Sequence, residues 1–374
     1  MVASAYRLEG GYEEIKRLCY AGLDEFTLIQ HTIDRLQRVV PFVSYCVHVD
    51  DPLSGLMTRV VVDQVMTEKQ HRLYMEQIYF DEDYYFIRGM VRACATVQLL
   101  SDLTCGKLER AARYRVINGP LGLEHELISV CLTGRELWGG MCLIREKGRP
   151  DFDEPEAQFV RQIAPHIGAG LKMASLRTQG PAPDDTAAGV LILDKRARVI
   201  RHTDVAERWM REMPDFGPRW KEGYGLPTPV WMVVGALRRA LAPQTEAERN
   251  QVPRIIAQTR SGQWLTFHGS QTFSDGGQRS ETAVIVEPSR PRELAWLRGA
   301  AYGLSERERA VVELVVQGAS TKQIARELHV SEYTVQEHLS NVFDKVGVRG
   351  RQALVRRLFF DQLAPGLTAS LGDR

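Results

Sequence analysis

Residues 305–347 decide the fold of this chain, and they read SERERAVVELVVQGASTKQIARELHVSEYTVQEHLSNVFDKVG. Ser305 and Glu308 have the spacing of a capping box, in which each side chain satisfies a free amide of a first helical turn. Ser320 and Gln323 repeat that spacing. Two helices are therefore predicted to begin at these serines.

Glycines and apolar periods divide the rest of the stretch. Gly318 and Gly347 stand where a left-handed residue ends a helix, and residues 329–331 alone separate the second helix from a third that Ser331 caps. Two helices joined by so tight a turn predict a helix-turn-helix unit in an all-α, four-helix domain over residues 303–364, with a tail at 365–374. The residues expected to face inward are Ala310, Val311, Leu314, Val315, Ile324, Ala325, Leu328, Val335, Leu339, Val342, Phe343, Val346, Ala353, Leu354, Leu358 and Phe359.

These residues resemble the C-terminal domain of the LuxR/FixJ family of bacterial transcription regulators. The resemblance implies double-stranded DNA as a partner, with the third helix in the major groove. The residues that carry it are Leu304 to Arg309, Gly318 to Ala325, Val330, Ser331, Thr334, Val335, His338, Leu339, Asn341, Lys345, Gly347 and Val348.

The same resemblance assigns the residues that read bases. In the family these positions follow the Thr-Val pair and lie one turn on, which here gives Gln336, Glu337 and Ser340. Glutamine can pair with adenine and glutamate can accept from the cytosine amine, each worth roughly 1–3 kcal/mol of discrimination. Glu337 also repels phosphate, so other side chains must attract the DNA backbone. The candidates for that role are Lys322, Tyr333, Thr334, His338, Lys345, Arg349 and Arg351.

The charge of the C-terminal domain and its fourth predicted helix both concern dimer formation. Residues 303–360 hold nine Lys and Arg against seven Asp and Glu, so a single copy is expected to bind DNA weakly. A homodimer on an inverted repeat is therefore expected. The family dimerises this domain through its fourth helix, where Val355, Leu358 and Phe359 either form that contact or belong to the domain core.

Two breaks divide the chain before this domain, one at residues 177–187 and one at 289–302, and both are predicted to be linkers. Residues 1–176 and 188–288 each have an α+β pattern, so the chain is expected to be multidomain. The first is similar to a GAF sensor domain, with strands at 42–49, 57–62, 126–132 and 138–145. The second is similar to a PAS domain, with strands at 189–194, 252–259, 263–270 and 281–286.

Two features of the first domain suggest regulation. A helix at 153–175 has an apolar stripe, which we expect to pack against its copy in a partner chain and to carry a signal towards the DNA-binding domain. An aromatic segment predicts a small-molecule effector pocket, although core aromatics are the other interpretation. Its residues are Tyr74, Tyr79, Phe80, Tyr84 and Tyr85.

Composition excludes several classes of protein. The 374 residues carry a net charge of +1 and 25% charged residues, as an ordinary multidomain protein does. No apolar run is long enough to span a membrane, and no secretory leader opens the chain, so a cytoplasmic protein is expected. The six cysteines form no CxxC pair. No motif predicts a metal site or a cofactor.

Two rival functions receive little support. Asp50, Asp51 and Asp194 each follow a strand, but their separation does not match a phosphorylated receiver domain. No GxSxG, HExxH, Walker or GxGxxG motif appears, so an enzyme with a DNA-binding tail is disfavoured. The sequence therefore predicts an effector-controlled transcription factor, by family resemblance an activator that meets RNA polymerase. A LuxR-type regulator with ligand-free N-terminal interaction modules remains the alternative.

Overall fold

The chain divides into two compact units, Met1–Pro288 and Ser289–Arg374. The structure is a computed structural model that describes residues 2–63, 83–177, 187–215, 225–243, 246, 252–273 and 279–360. The predicted linker at 177–187 falls largely outside these ranges, and the tail at 365–374 lies wholly outside them.

Residues 2–177 of the first unit form a sheet with helices before, within and after it. In chain order the elements are α1 (Val2–Tyr20), α2 (Glu25–Val39), β1 (Ser44–Asp51), β2 (Leu56–Val62), α3 (Asp83–Ala93), β3 (Val97–Leu99), α4 (Leu100–Leu103), β4 (Leu123–Thr133), β5 (Glu136–Glu146) and α5 (Glu154–Arg177). Short 3₁₀ or π turns lie at Leu108–Arg110, Tyr114–Asn118 and Gly119–Leu121. The five strands run in the order β2-β1-β5-β4-β3, and every neighbouring pair is antiparallel.

Residues 189–288 form a second sheet with the same plan. Its elements are β6 (Gly189–Leu193), β7 (Val199–His202), α6 (Asp204–Glu212), α7 (Thr228–Leu241), β8 (Arg254–Gln258), β9 (Trp264–Phe273) and β10 (Arg279–Pro288). The strand order is β7-β6-β10-β9-β8, again antiparallel throughout. Counted within each sheet, both orders are 2-1-5-4-3. The prediction of two α+β patterns is confirmed at the level of two antiparallel sheets with helices.

Helix α5 covers one face of the first sheet, and its apolar stripe is buried inside its own unit. Phe159, Val160, Ile163, Ile167 and Leu171 are each at most 5% exposed. The expectation that this stripe packs against a partner chain was therefore wrong. A sheet face of this size needs a helix to keep its apolar side chains from water, and α5 supplies that cover.

Helix α7 was missed in the sequence, and it fills the core of the second sheet. Val230, Trp231, Val233 and Ala236 have no exposed surface. The apolar cluster around this helix also contains Leu56, Met57, Ala112 and Ile117 from the first half of the unit. The two sheets therefore share one core, whereas the sequence suggested two domains joined by a linker.

Two buried carboxylates lie where the two sheets meet. Asp51, the last residue of β1, accepts hydrogen bonds from the Leu53 amide at 3.0 Å and the Ser54 hydroxyl at 2.8 Å. Burial raises the pKa of Asp51, although hydrogen bonds that include one from the Ile256 amide of β8 oppose this. Burial likewise raises the pKa of Asp215, and the opposing charge of Arg59 comes from β2. Each half of the unit thus contributes a carboxyl group that interacts with the other half.

The regular elements described in the second unit, over residues 289–360, are all helices. Its elements are α8 (Pro291–Ala301), α9 (Glu306–Val316), α10 (Thr321–Glu327), α11 (Glu332–Val346) and α12 (Arg351–Val355), which continues as a π turn at Arg356–Phe360. Most of the predicted inward residues form its core, including Val311, Ile324, Leu339 and Leu354, each at most 1% exposed. Ala353 was predicted to face inward but is exposed. The predicted four-helix domain thus gains a fifth helix at its start.

The predicted linker at 289–302 was wrong, because most of it is α8. Pro291 occupies the first turn, where proline needs no amide partner, and the Arg290 amide donates to Glu293 Oε2 at 2.8 Å. Ala295 lies in the domain core, and Arg298 Nη1 donates to the Leu358 carbonyl at 2.7 Å. Leu358 is itself fully buried, which favours its core role over a dimer contact.

The capping predictions are confirmed. Ser305 with Glu308 and Ser320 with Gln323 form capping boxes. Ser331 Oγ caps α11 by accepting from the Thr334 amide at 3.0 Å. Gly318 and Gly347 have φ of 80° and 71°, the left-handed conformation expected of helix stops.

The turn between α10 and α11 contains a strained residue. His329 has φ of 54°, which costs an L-residue roughly 1–2 kcal/mol. We predict that His329→Gly stabilises the second unit by about 0.5–1 kcal/mol, since glycine's extra freedom in the unfolded chain offsets part of the relief. Amide hydrogen exchange of α10 and α11 in the full chain measures this. His329→Ala keeps the strain and should give no gain; equal stabilisation by both variants would contradict the strain argument.

Candidate nucleic-acid interface

Helix α11 carries two opposite stripes. Val335, Leu339, Val342 and Val346 face the domain core and are at most 4% exposed. The other stripe is exposed and consists of Tyr333, Gln336, Glu337 and Ser340. Residues three and four apart share one face of a helix, so these four side chains lie together on the solvent side. The three residues predicted to read bases are thus neighbours on one accessible surface.

The side chain of Gln336 is anchored to the start of α10. Its Nε2 donates to Thr321 Oγ1 at 3.2 Å. Arg351, at the start of α12, donates to the same oxygen through Nη2 at 2.9 Å and to the Ala319 carbonyl through Nη1 at 2.7 Å. Thr321 was not singled out in the sequence, because its partners are 15 and 30 residues away along the chain.

Lys345 occupies a different place from the one its predicted role suggests. Its Nζ donates to both carboxylate oxygens of Glu308, at 2.9 and 2.7 Å, and to the Gly303 carbonyl at 3.2 Å. The Glu308 side chain is 4% exposed and also accepts from the Ser305 amide at 2.7 Å. Lys345 therefore joins α11 to the capping box of α9. Contact between Lys345 and phosphate stays a prediction, and it would compete with Glu308.

The fold lowers the pKa of Glu308. Burial alone raises it, but the hydrogen bond from Lys345 and those from Ser305 outweigh burial. The carboxylate is therefore the favoured form in the fold, and it holds the lysine by charge as well as by hydrogen bonding.

The remaining predicted backbone contacts surround the exposed stripe in varied settings. Tyr333 is 73% exposed, an unusual value for a tyrosine. Lys322 and Arg349 are exposed, while Thr334, His338 and Arg351 are half-buried. Of these, Arg351 has its two terminal nitrogens engaged within the domain, as described above.

The predicted aromatic pocket is not covered by the described structure. Tyr74, Tyr79 and Phe80 lie outside the described residues, as do the side chains of Tyr84 and Tyr85, whose backbone forms the start of α3.

Helix α3 covers one face of the first sheet, called here the α3 face. It is lined by Cys46, Ile87, Met90, Ile128, Val130 and Cys142.

The α3 face also carries two buried polar groups that sequence reasoning missed. His48 Nδ1 lies 2.7 Å from Asp50 Oδ2. Arg113 Nη1 donates to Glu126 Oε1 at 2.5 Å, and Asn118 Nδ2 donates to Glu126 Oε2 at 2.8 Å. All five residues are at most 6% exposed. His48 and Asp50 alternate with Val47 and Val49 along β1, which was the signal available in the sequence.

Gly140 makes room for one of these groups. It lies directly opposite His48 on β5, and a Cβ at this position would meet the imidazole of His48 and the carbonyl of Ser129. A side chain here would have to displace the histidine, so glycine is needed for the close approach.

Other kinds of site receive no support in the described ranges. There, no group of three or more His, Cys, Asp or Glu is placed to hold a metal ion. Within the same residues, no helix combines the length and apolarity needed to cross a membrane. Asp194 Oδ1 accepts from the amides of Arg196 and Arg198, as a turn carboxylate does.

Comparisons with known proteins identify the family of the C-terminal domain. The profile of the family described as "Bacterial regulatory proteins, luxR family" (GerE) matches residues 302–358. The spore germination protein GerE of Bacillus subtilis is 52% identical over 61 residues, which are 16% of this chain and 82% of GerE. The probable HTH-type transcriptional regulator GfsR of Streptomyces halstedii is 34% identical over 98 residues, 25% of this chain and 40% of GfsR. The chain thus spans less than half of that larger relative.

Among solved structures, the phage VqmA–DPO complex aligns with 46% of this chain and 79% of its own, at 15% identity and a TM-score of 0.22.

Replacing Lys345 tests the contact that joins α11 to α9. Lys345→Met leaves the Glu308 carboxylate buried without its cation, and we expect the second unit to lose about 1–3 kcal/mol. Amides of α9 and α11 in the full chain should then exchange about 5- to 150-fold faster. Lys322→Met removes the same charge from an exposed site and should leave exchange unchanged. Equal rates in both variants would refute a structural role for Lys345.

The same contact has a defined pH dependence. The fold lowers the pKa of Glu308 below its ordinary value of 4.5. The contribution of the Glu308 carboxylate to stability is therefore fully present above pH 4.5, and it is lost as the pH falls through the pKa of Glu308 in the folded protein. The difference between Lys345→Met and the parent chain should therefore narrow on acidification.

Proposed function

Because this chain belongs to the LuxR family of bacterial regulatory proteins through its C-terminal domain, we propose that it is a sequence-specific transcriptional regulator whose N-terminal domains respond to a small molecule. The observation that carries this proposal is the exposed stripe of α11, opposite a buried apolar stripe, on a helix that a tight turn joins to α10. This arrangement suits a helix that lies in a major groove with its polar side against the bases.

The proposed division of labour follows the geometry of α11. Gln336 pairs with adenine, Glu337 accepts from the cytosine amine, and Ser340 contacts either base. The surrounding donors hold phosphate oxygens and set the register. They are Lys322, Tyr333, Thr334, His338, Arg349 and Arg351, with Lys345 as a further candidate that must first exchange Glu308 for phosphate.

A homodimer on an inverted repeat is the proposed acting form. The near balance of charges in residues 303–360 supports it, since two copies double the number of neutralised phosphates. We further propose activation through RNA polymerase, for which family resemblance is the support.

The first unit is proposed to be a sensor with a GAF-like first half and a PAS-like second half. The strand order 2-1-5-4-3 in both sheets supports this proposal. Helices packed on both faces of the first sheet support it as well, because α5 lies on one face and α3 on the other.

The α3 face is proposed to bind the effector. This face combines apolar side chains with His48, Asp50, Arg113 and Glu126, a composition typical of pockets that orient a small ligand by a few polar groups. One observation favours the alternative of a ligand-free interaction module: these polar groups already satisfy one another within the protein.

Binding-site selection tests the base assignment. Gln336→Ala should relax the preference at one position of each half-site by about 5- to 150-fold and leave the others unchanged, because one bidentate pair is lost. Lys322→Ala should weaken all sequences alike and reduce the salt dependence. An unaltered selected-site profile for Gln336→Ala would overturn the assignment.

Native mass spectrometry of the full chain tests the sensor. The purified protein should carry a bound small molecule, and Glu126→Gln, which weakens the pair with Arg113, should lose it. Ser129→Ala alters the opposite face of the same strand and should retain it. A bare polypeptide mass for a parent chain that still binds DNA would favour the ligand-free alternative.

A further inference from the structure

Side chains from three helices meet at the hydroxyl oxygen of Thr321. Thr321 opens α10, Gln336 lies one turn into α11, and Arg351 opens α12. Gln336 Nε2 and Arg351 Nη2 both donate to Thr321 Oγ1, at 3.2 and 2.9 Å. Arg351 Nη1 donates in addition to the Ala319 carbonyl at 2.7 Å, which fixes the arginine to the corner between α9 and α10.

The hydrogen-bonding capacity of these groups determines what remains for DNA. A threonine hydroxyl accepts two hydrogen bonds and donates one. Arg351 and Gln336 occupy both acceptor positions of Thr321, so its own proton is left for an outside acceptor such as a phosphate. Gln336 uses one of its two amide hydrogens, so its carbonyl oxygen and its second N–H remain available. That pair is the one a glutamine needs to recognise adenine.

A long side chain on an exposed helix face normally occupies several rotamers, and ordering it on binding costs free energy. Thr321 removes part of that cost for Gln336 in advance. Arg351 braces Thr321 in turn, because a guanidinium spans two acceptors in a fixed geometry that a lysine cannot match.

We propose that Thr321 and Arg351 are positioning residues for base recognition: they hold Gln336 in the orientation that reads its base, so part of the sequence preference at that position resides in them. This inference rests on the proposed function, since it presumes that Gln336 contacts a base. It also revises Arg351 from a phosphate contact to a specificity residue that does not touch a base.

Binding-site selection with matched variants of the full chain tests the proposal. Thr321→Val keeps the shape of the side chain but removes the hydroxyl, and it should lower the preference at the Gln336 position by about 2- to 10-fold, the value of one hydrogen bond. Thr321→Ser restores the hydroxyl and should restore the preference. If the hydroxyl acted on phosphate alone, Thr321→Val would weaken all sequences alike with an unaltered profile, and the proposal would be overturned.

A second pair of variants separates the bracing role of Arg351 from the effect of its charge. Arg351→Gln and Arg349→Gln remove the same charge two residues apart, and Arg349 is exposed. Arg351→Gln alone should change the base preference, whereas Arg349→Gln should lower affinity uniformly. Identical profiles for the two variants would contradict the bracing role. Amide exchange of α11 identifies any variant that fails to fold.

Gln336→Ala in the same experiment separates the base contact of Gln336 from the positioning role of Thr321. If Gln336→Ala changes the preference and Thr321→Val does not, the positioning role is wrong and the proposed function stands. If Gln336→Ala itself has no effect, the base assignment fails first.

Discussion

The position of α11 on its domain depends on a buried carboxylate. Glu308 caps α9 through the Ser305 amide and accepts two hydrogen bonds from Lys345, which lies on α11. Removing Lys345 would destabilise the fold, because the Glu308 side chain is only 4% exposed and little water can replace the lost donor. The apolar core of the domain determines which side of α11 faces inward. The contact between Lys345 and Glu308 determines the position of α11 along α9. The exposed stripe of α11 has a defined place on the domain surface because both constraints act together.

Short-range signals were sufficient to predict much of this domain. The capping boxes, Ser331 and the two glycine stops each act within four residues, so the sequence displays them directly. The contacts that organise the surface are of the other kind: Lys345 meets Glu308 across 37 residues and Arg351 meets Thr321 across 30. Nothing in local spacing indicates such partners. Lys345 and Arg351 were accordingly predicted as phosphate contacts from their charge and their position beside the third helix, and Thr321 was overlooked.

Helices α7 and α8 escaped prediction for opposite reasons. Residues 229–237 of α7 are all apolar and all buried, so this run has no polar positions that would mark an amphipathic period. Helix α8 begins with Pro291, and a cluster of prolines was interpreted as a break although proline favours a first helical turn. Because α7 and α8 were not predicted, the packing contacts that they make were not predicted either. Helix α7 joins the cores of the two sheets, and α8 adds its apolar face to the DNA-binding domain. If the α3 face binds an effector, the shared core offers a continuous packed route from that face to the second sheet.

Protection of guanine N7 from methylation tests most directly whether α11 acts in a major groove. Genomic fragments retarded by the purified full chain would be treated with a methylating agent in the presence and absence of protein. We expect protection confined to two major-groove half-sites, about 10 base pairs apart or a multiple of that distance, as two copies of one helix require. Failure to retard any fragment, or binding that leaves every major-groove guanine reactive, would contradict a reading role for this helix.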